Sequence, residues 1–159
     1  MEGVMQDLAK SLSLTYAAGT VGALANALAV WMLGAAGINA ALGVKIAPAL
    51  TPAFIYSKLV WGGLWGFVFL LPFFPGSPII RGLVYSIGPT LVQLLLVFPF
   101  KLDKGMMGLD LGTLTPVFVI VANAVWGVAA SLWFARTMPS ADRDSASRRF
   151  VQRLRGSKR

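Results

Sequence analysis

Inside its apolar stretches this chain carries few side chains able to do chemistry, and two of them occupy matching places. Lys58 and Asn123 each stand two residues before a Val-Trp-Gly and a little after a Leu-Thr-Pro-x-Phe, in segments that begin at Leu50 and Leu114. Counted from Pro52 and Pro116, the two residues lie about 9 to 10 Å into a helix at 1.5 Å per residue. An ammonium at that depth has two readings. It can snorkel, with its stem in lipid and its head among the headgroups. Alternatively it faces inward and, with Asn123, lines a polar patch that Asn26, Gln93, Tyr56 and Ser57 join, able to hold an anion or a carbonyl.

Much other chemistry is excluded. The chain has no cysteine and no histidine, which removes thiol redox, Cys or His metal sites, ordinary haem ligation and imidazole catalysis. The apolar stretches hold no Asp or Glu to pair with Lys58, which also counts against a carrier driven by proton or sodium binding to an intramembrane carboxylate. Asn26 and Asn123 each sit in an Ala-Asn-Ala triplet, and asparagine in that setting often acts as interhelical glue worth roughly 0.6 kcal/mol. No acid, base, nucleophile or metal cluster is visible, so no catalytic, metal or cofactor residue is assigned and no cofactor is expected.

The elements that position these residues are membrane helices. With 159 residues, 57% hydrophobic content, mean hydropathy +0.72 and 13% charge, the chain is too apolar for a soluble domain. Four segments approach the ~20 apolar residues that a ~30 Å hydrocarbon core requires: about 14–34, 52–74, 83–100 and 116–134. They do not alternate as barrel strands do. The first is longer than a signal-peptide core and follows a nearly neutral start, so it reads as a retained span. Thr51-Pro52 and Thr115-Pro116 supply a hydroxyl cap and a proline at the first helical position, opening spans 2 and 4. Gly88-Pro89 implies a kink in span 3. Gly19, Ala23 and Ala27 with Gly22 on span 1, and Gly62 with Gly66 on span 2, mark faces where another backbone approaches closely. The apolar loop 35–50 lies at the interface or dips back into the bilayer.

Tyr16-x-x-Gly19 and Tyr85-x-x-Gly88 extend the echo backwards. The expected fold is therefore an all-α integral membrane domain over 1–135, in which two helical hairpins, about 14–75 and 82–135, form a tandem parallel repeat about an axis near the membrane normal. Residues 136–159 form a basic tail with formal charge +6 of the total +8. Beside a membrane helix such a tail reads as a topology signal and a contact for anionic lipid headgroups rather than for nucleic acid. By the positive-inside rule both termini are cytoplasmic, Arg81 lies in an inner turn, and Lys45, Lys101 and Lys104 lie outside.

From Lys58 to Gly108, the glycine-rich second span, the proline-rich turn, Arg81-Gly82 opening the third span and Pro99 closing it resemble the small uncharacterised four-helix inner-membrane proteins of the YagU type. The histidines of those proteins' spans are missing here. The resemblance implies a bacterial inner-membrane protein with a stress-related role, and it transfers no site residue. The leading expectation is a multi-pass inner-membrane protein without enzymatic activity, a structural or interaction subunit partnered by lipids and by other membrane subunits or itself. The alternative is a small-solute or ion carrier or channel, acting as a dimer around Lys58 and Asn123.

Overall fold

The computed structural model describes residues 2–71 and 77–138, so the basic tail beyond 138 and most of the proline-rich turn lie outside the described residues. Every described element is helical: α1 (Glu2–Ala35), the short α2 (Ile38–Ala41), α3 (Pro52–Trp65) continued by a 3-10 turn (Gly66–Leu70), α4 (Pro78–Val92) continued as a π-helix (Gln93–Lys101), a 3-10 turn (Met106–Leu111), and α5 (Thr115–Thr137). Among the described residues four helices are long and apolar enough to cross a membrane: Met5–Ala35, Pro52–Leu70, Pro78–Lys101 and Thr115–Thr137.

Two starts follow the cap chemistry and one departs from it. Thr51 Oγ1 accepts the Phe54 N–H at 3.2 Å, and Pro52 fills the first helical position. Ser77-Pro78 does the same for α4, so that helix begins about one turn before the glycine-based expectation at 82–83. Thr115 is not a cap. The Phe118 N–H already bonds to the Leu114 carbonyl, so the helix has begun, and the buried Thr115 hydroxyl finds no partner among the described residues. The helix starts early because a separate turn over 112–115, with the Thr115 N–H on the Gly112 carbonyl, leads the chain straight into it. Span 1 also differs, since its helix starts at Glu2 rather than near residue 14.

Helix order follows from where the small residues are. α1 packs along both α3 and α5, and α4 packs on α5. The four spans thus form a curved row in the order α3, α1, α5, α4. Contacts are closest where glycines meet: a Cβ on Gly19 would strike the Gly62 carbonyl, one on Gly66 the Thr15 carbonyl, and one on Gly82 the Gly127 carbonyl. Gly22 lies equally close to the backbone at Trp126. The faces expected from spans 1 and 2 are therefore packing faces. α4 is apolar outward and polar inward: Ile79, Ile80, Leu83, Ile87 and Leu91 are exposed, while Arg81, Tyr85, Ser86 and Thr90 are buried. That distribution suits a helix surrounded by lipid rather than water.

The helices are plugged at both of their ends. At one end Phe69 packs edge-on against Tyr85, 5.2 Å between centroids, and against Phe134 at 5.8 Å. Arg81, expected as a charge in the inner turn, is buried here, its guanidinium 5.3 to 5.6 Å from the Phe134, Phe69 and Tyr85 centroids. It also donates to the Phe69 carbonyl, one of the carbonyls that a helix end leaves without an intrahelical partner. The opposite end, called here the loop face, is closed by the two hairpin turns. The Lys45 N–H donates to the Leu111 carbonyl at 2.7 Å, Gly112 sits against the Gly43 carbonyl, and Val44 tucks into a cluster with Leu94, Phe98 and Phe118. Asn39 is buried and donates to the Ile46 carbonyl, so the 35–50 loop is tied down by its own polar residue.

Candidate functional site: a cleft between α3 and α4

Because α3 and α4 pack on the central pair rather than along one another, a cavity of about 440 Å3 lies between them. α1 and α5 supply its floor with Ala23, Asn26, Asn123 and Trp126; α3 gives Ser57, Lys58, Trp61, Gly62 and Trp65; the α4 side gives Pro89, Val92, Gln93, Val97 and Lys101. Of the six polar residues singled out in the sequence, Lys58, Asn123, Asn26, Gln93 and Ser57 line this one space. Tyr56 does not: it lies on the outer face of α3, 67% exposed.

The floor is fixed by hydrogen bonds between the central helices. Asn26 Nδ2 donates to the Ala122 carbonyl at 2.6 Å, and Trp126 Nε1 donates to the Gly19 carbonyl at 3.0 Å. Asn26 thus serves as glue between α1 and α5, although its own carbonyl oxygen finds no partner among the described residues. Asn123 Nδ2 donates to Thr90 Oγ1 at 3.2 Å and to Gln93 Oε1 at 3.4 Å. That pairing uses one side of each amide. A carbonyl on Asn123 and an amino group on Gln93 stay available to whatever enters, since each amide has donors and acceptors to spare.

Depth along the cleft changes its character. Lys58 and Trp65 are two turns apart on one face of α3, and Trp65 closes the deep end against Gly88, where an added Cβ would meet the ring at 2.9 Å. Toward the loop face the walls carry charge. Lys58 Nζ stands 5.8 Å from the Phe54 centroid, and Lys101, reaching from the other wall, holds its Nζ 6.0 Å from the Trp61 centroid. Neither lysine forms an ion pair among the described residues. No described group of His, Cys, Asp or Glu could hold a metal ion. What the cleft offers is two cations near its mouth, amides at mid-depth and indole and valine walls.

Lys101 was placed in a loop by sequence reasoning and is instead a wall residue. The π-helix carries α4 on to Lys101, and a nine-residue π segment is not something hydropathy reveals. Pro99 was the available signal, since a proline two residues before a lysine marks a distorted last turn as readily as an exit. Comparison of the chain with protein-family models, with curated proteins and with solved structures finds no match.

Proposed function

We propose that the protein is a non-enzymatic membrane protein that takes a small solute into the cleft between α3 and α4, as a carrier or channel does. The observation that supports this reading is the convergence of Lys58, Lys101, Asn26, Gln93 and Asn123 on one cavity with no carboxylate among its lining residues. A purely structural role calls for no such gathering of polar groups, which cost free energy in an apolar medium. The cavity volume lies within the ~300 to 1,000 Å3 usual for small-molecule sites. The resemblance to YagU-type proteins contributes no residue to this reading.

Membrane disposition belongs to the same proposal. The basic tail puts both termini on the cytoplasmic side of a bacterial inner membrane and the mouth of the cleft toward the opposite side, and the tail contacts anionic headgroups. A tandem duplication accounts for the glycine of each Val-Trp-Gly, Gly62 and Gly127, lying against a glycine on the other helix of its own hairpin, Gly19 and Gly82. The duplication is not mirrored in the packing: α1 lies on α5, whereas their counterparts α4 and α3 leave the cleft between them. A second reading, an interaction subunit, has one observation in its favour. α3 packs mainly on α1, and it presents Tyr56, Val60 and Leu64 outward, a face that a second copy or another subunit would cover.

A chain without cysteine permits a direct test. Single cysteines at Ser57 and Gln93 are expected to react with a membrane-impermeant methanethiosulfonate, because the thiolate forms only where water reaches it. One at the outward Val60 is expected to stay unmodified. If the Ser57 and Gln93 variants are as inert as the Val60 variant, the cleft is closed and the solute reading fails.

A further inference from the structure

Resting on the cleft reading, we propose that the ligand is a monoanionic amphiphile, a single carboxylate or phosphate group on an apolar body, which enters between α3 and α4 and sets its anion between Lys58 and Lys101. Both lysines line the cavity from opposite walls. Each ammonium stands over a ring face, Phe54 for Lys58 and Trp61 for Lys101, and a charged oxygen is a far better acceptor for an ammonium than a ring is. Two cations brought to one apolar cleft repel each other, and an anion between them turns that repulsion into two attractions. With no acid among the lining residues, a cation or a zwitterion would leave its positive group unmatched.

The remaining walls specify the rest of the ligand. Below the lysines come Trp61, Trp65, Val92, Val97 and Trp126, surfaces that favour an apolar chain or ring and give a bare inorganic anion nothing to hold. The amides of Gln93 and Asn123 lie between the charged and apolar zones, where an ester or hydroxyl next to a headgroup would sit. Access is lateral as well as axial, since α3 and α4 do not pack along each other, and a ligand dissolved in the bilayer need not leave it to enter.

Three of the five tryptophans line the cleft, which makes quenching the natural readout. Full-length protein carrying Trp31→Phe and Trp133→Phe, in phosphatidylcholine nanodiscs, is titrated with 11-bromoundecanoate and, in parallel, with 11-bromoundecanol. A second pair of nanodiscs contains brominated phosphatidylglycerol or brominated phosphatidylcholine. Saturable quenching by an anionic probe, at least about tenfold tighter than by its neutral or zwitterionic counterpart, is expected. In the Lys58→Met, Lys101→Met double variant the preference should vanish while the melting transition stays in place, and Lys58→Arg should retain it. Quenching by the carboxylate alone assigns a free amphiphile, and by the phosphatidylglycerol alone a membrane lipid; either supports the proposal. Equal binding of acid and alcohol, or an anion preference that survives the double variant, overturns it and leaves the cleft as a binding site for something else. Absence of saturable quenching by every probe overturns it too, and the solute reading then stands or falls on the cysteine reactivity at Ser57 and Gln93.

Discussion

The Arg81 guanidinium lies against three ring faces and donates to the carbonyl of Phe69, so its charge is stabilised by π-faces and a helix-end dipole together. Cation–π contacts contribute roughly 0.5 to 2 kcal/mol each and a charged hydrogen bond roughly 1.5 to 3, and such contributions do not add fully. Arg81→Met is therefore expected to destabilise the fold by about 2 to 4 kcal/mol in detergent unfolding followed by tryptophan fluorescence. Arg81→Lys should recover less than half of that, because a compact ammonium cannot lie flat between rings while reaching a carbonyl. An Arg81→Met variant that unfolds like the parent would show that the aromatic cluster holds without its cation. At this scale the sequence was partly legible. Lys58 and Asn123 were traceable because a repeated motif fixed their register. Arg81 was misplaced because a helix-opening arginine beside a turn resembles any topology charge, although Tyr85, four residues on and hence on the same helix face, was a readable sign of a ring contact.

Among the elements, α4 departs furthest from a regular helix. It opens at Ser77-Pro78, carries Pro89 inside, and widens into a π-helix over Gln93–Lys101 that contains Pro99. A Gly-Pro pair foretold a distortion but not its kind, because π and α geometry differ in hydrogen-bond register, which neither a proline nor an averaged hydropathy encodes. The glycine faces were legible, since small residues four apart have few uses in a membrane helix other than close packing. Gly62→Leu and Gly66→Leu are expected to abolish most of the folded yield from detergent, with Gly82→Leu and Gly127→Leu behaving alike in the second hairpin, because the new side chain would strike backbone at Gly66, Gly82 and Gly127 and the immovable Cβ of Ala23 at Gly62. Gly88→Ala meets only the Trp65 ring and should be tolerated at a cost of about 1 kcal/mol. If the leucine variants melt like the parent, the helix order proposed here is wrong.

For the whole molecule, the row α3, α1, α5, α4 could not be read from the chain, because two helical hairpins can meet through either helix of each. Four apolar segments and short turns fix the number of crossings, not their neighbours. The sidedness has its own check. Reporter fusions after Lys104 and after Arg136 are expected to report opposite sides, the latter cytoplasmic; the same side for both would remove α5 as a span. The backbone hydrogen bond from Lys45 to Leu111 and the nesting of Gly112 on Gly43 bear on movement. They join the turn of one hairpin to the turn of the other, so at the loop face the hairpins share a hinge pin. At the far end the Arg81 guanidinium and the Tyr85 hydroxyl donate to the Phe69 and Leu71 carbonyls, a second pin across the same two hairpins, so any widening of the cleft is confined between the two.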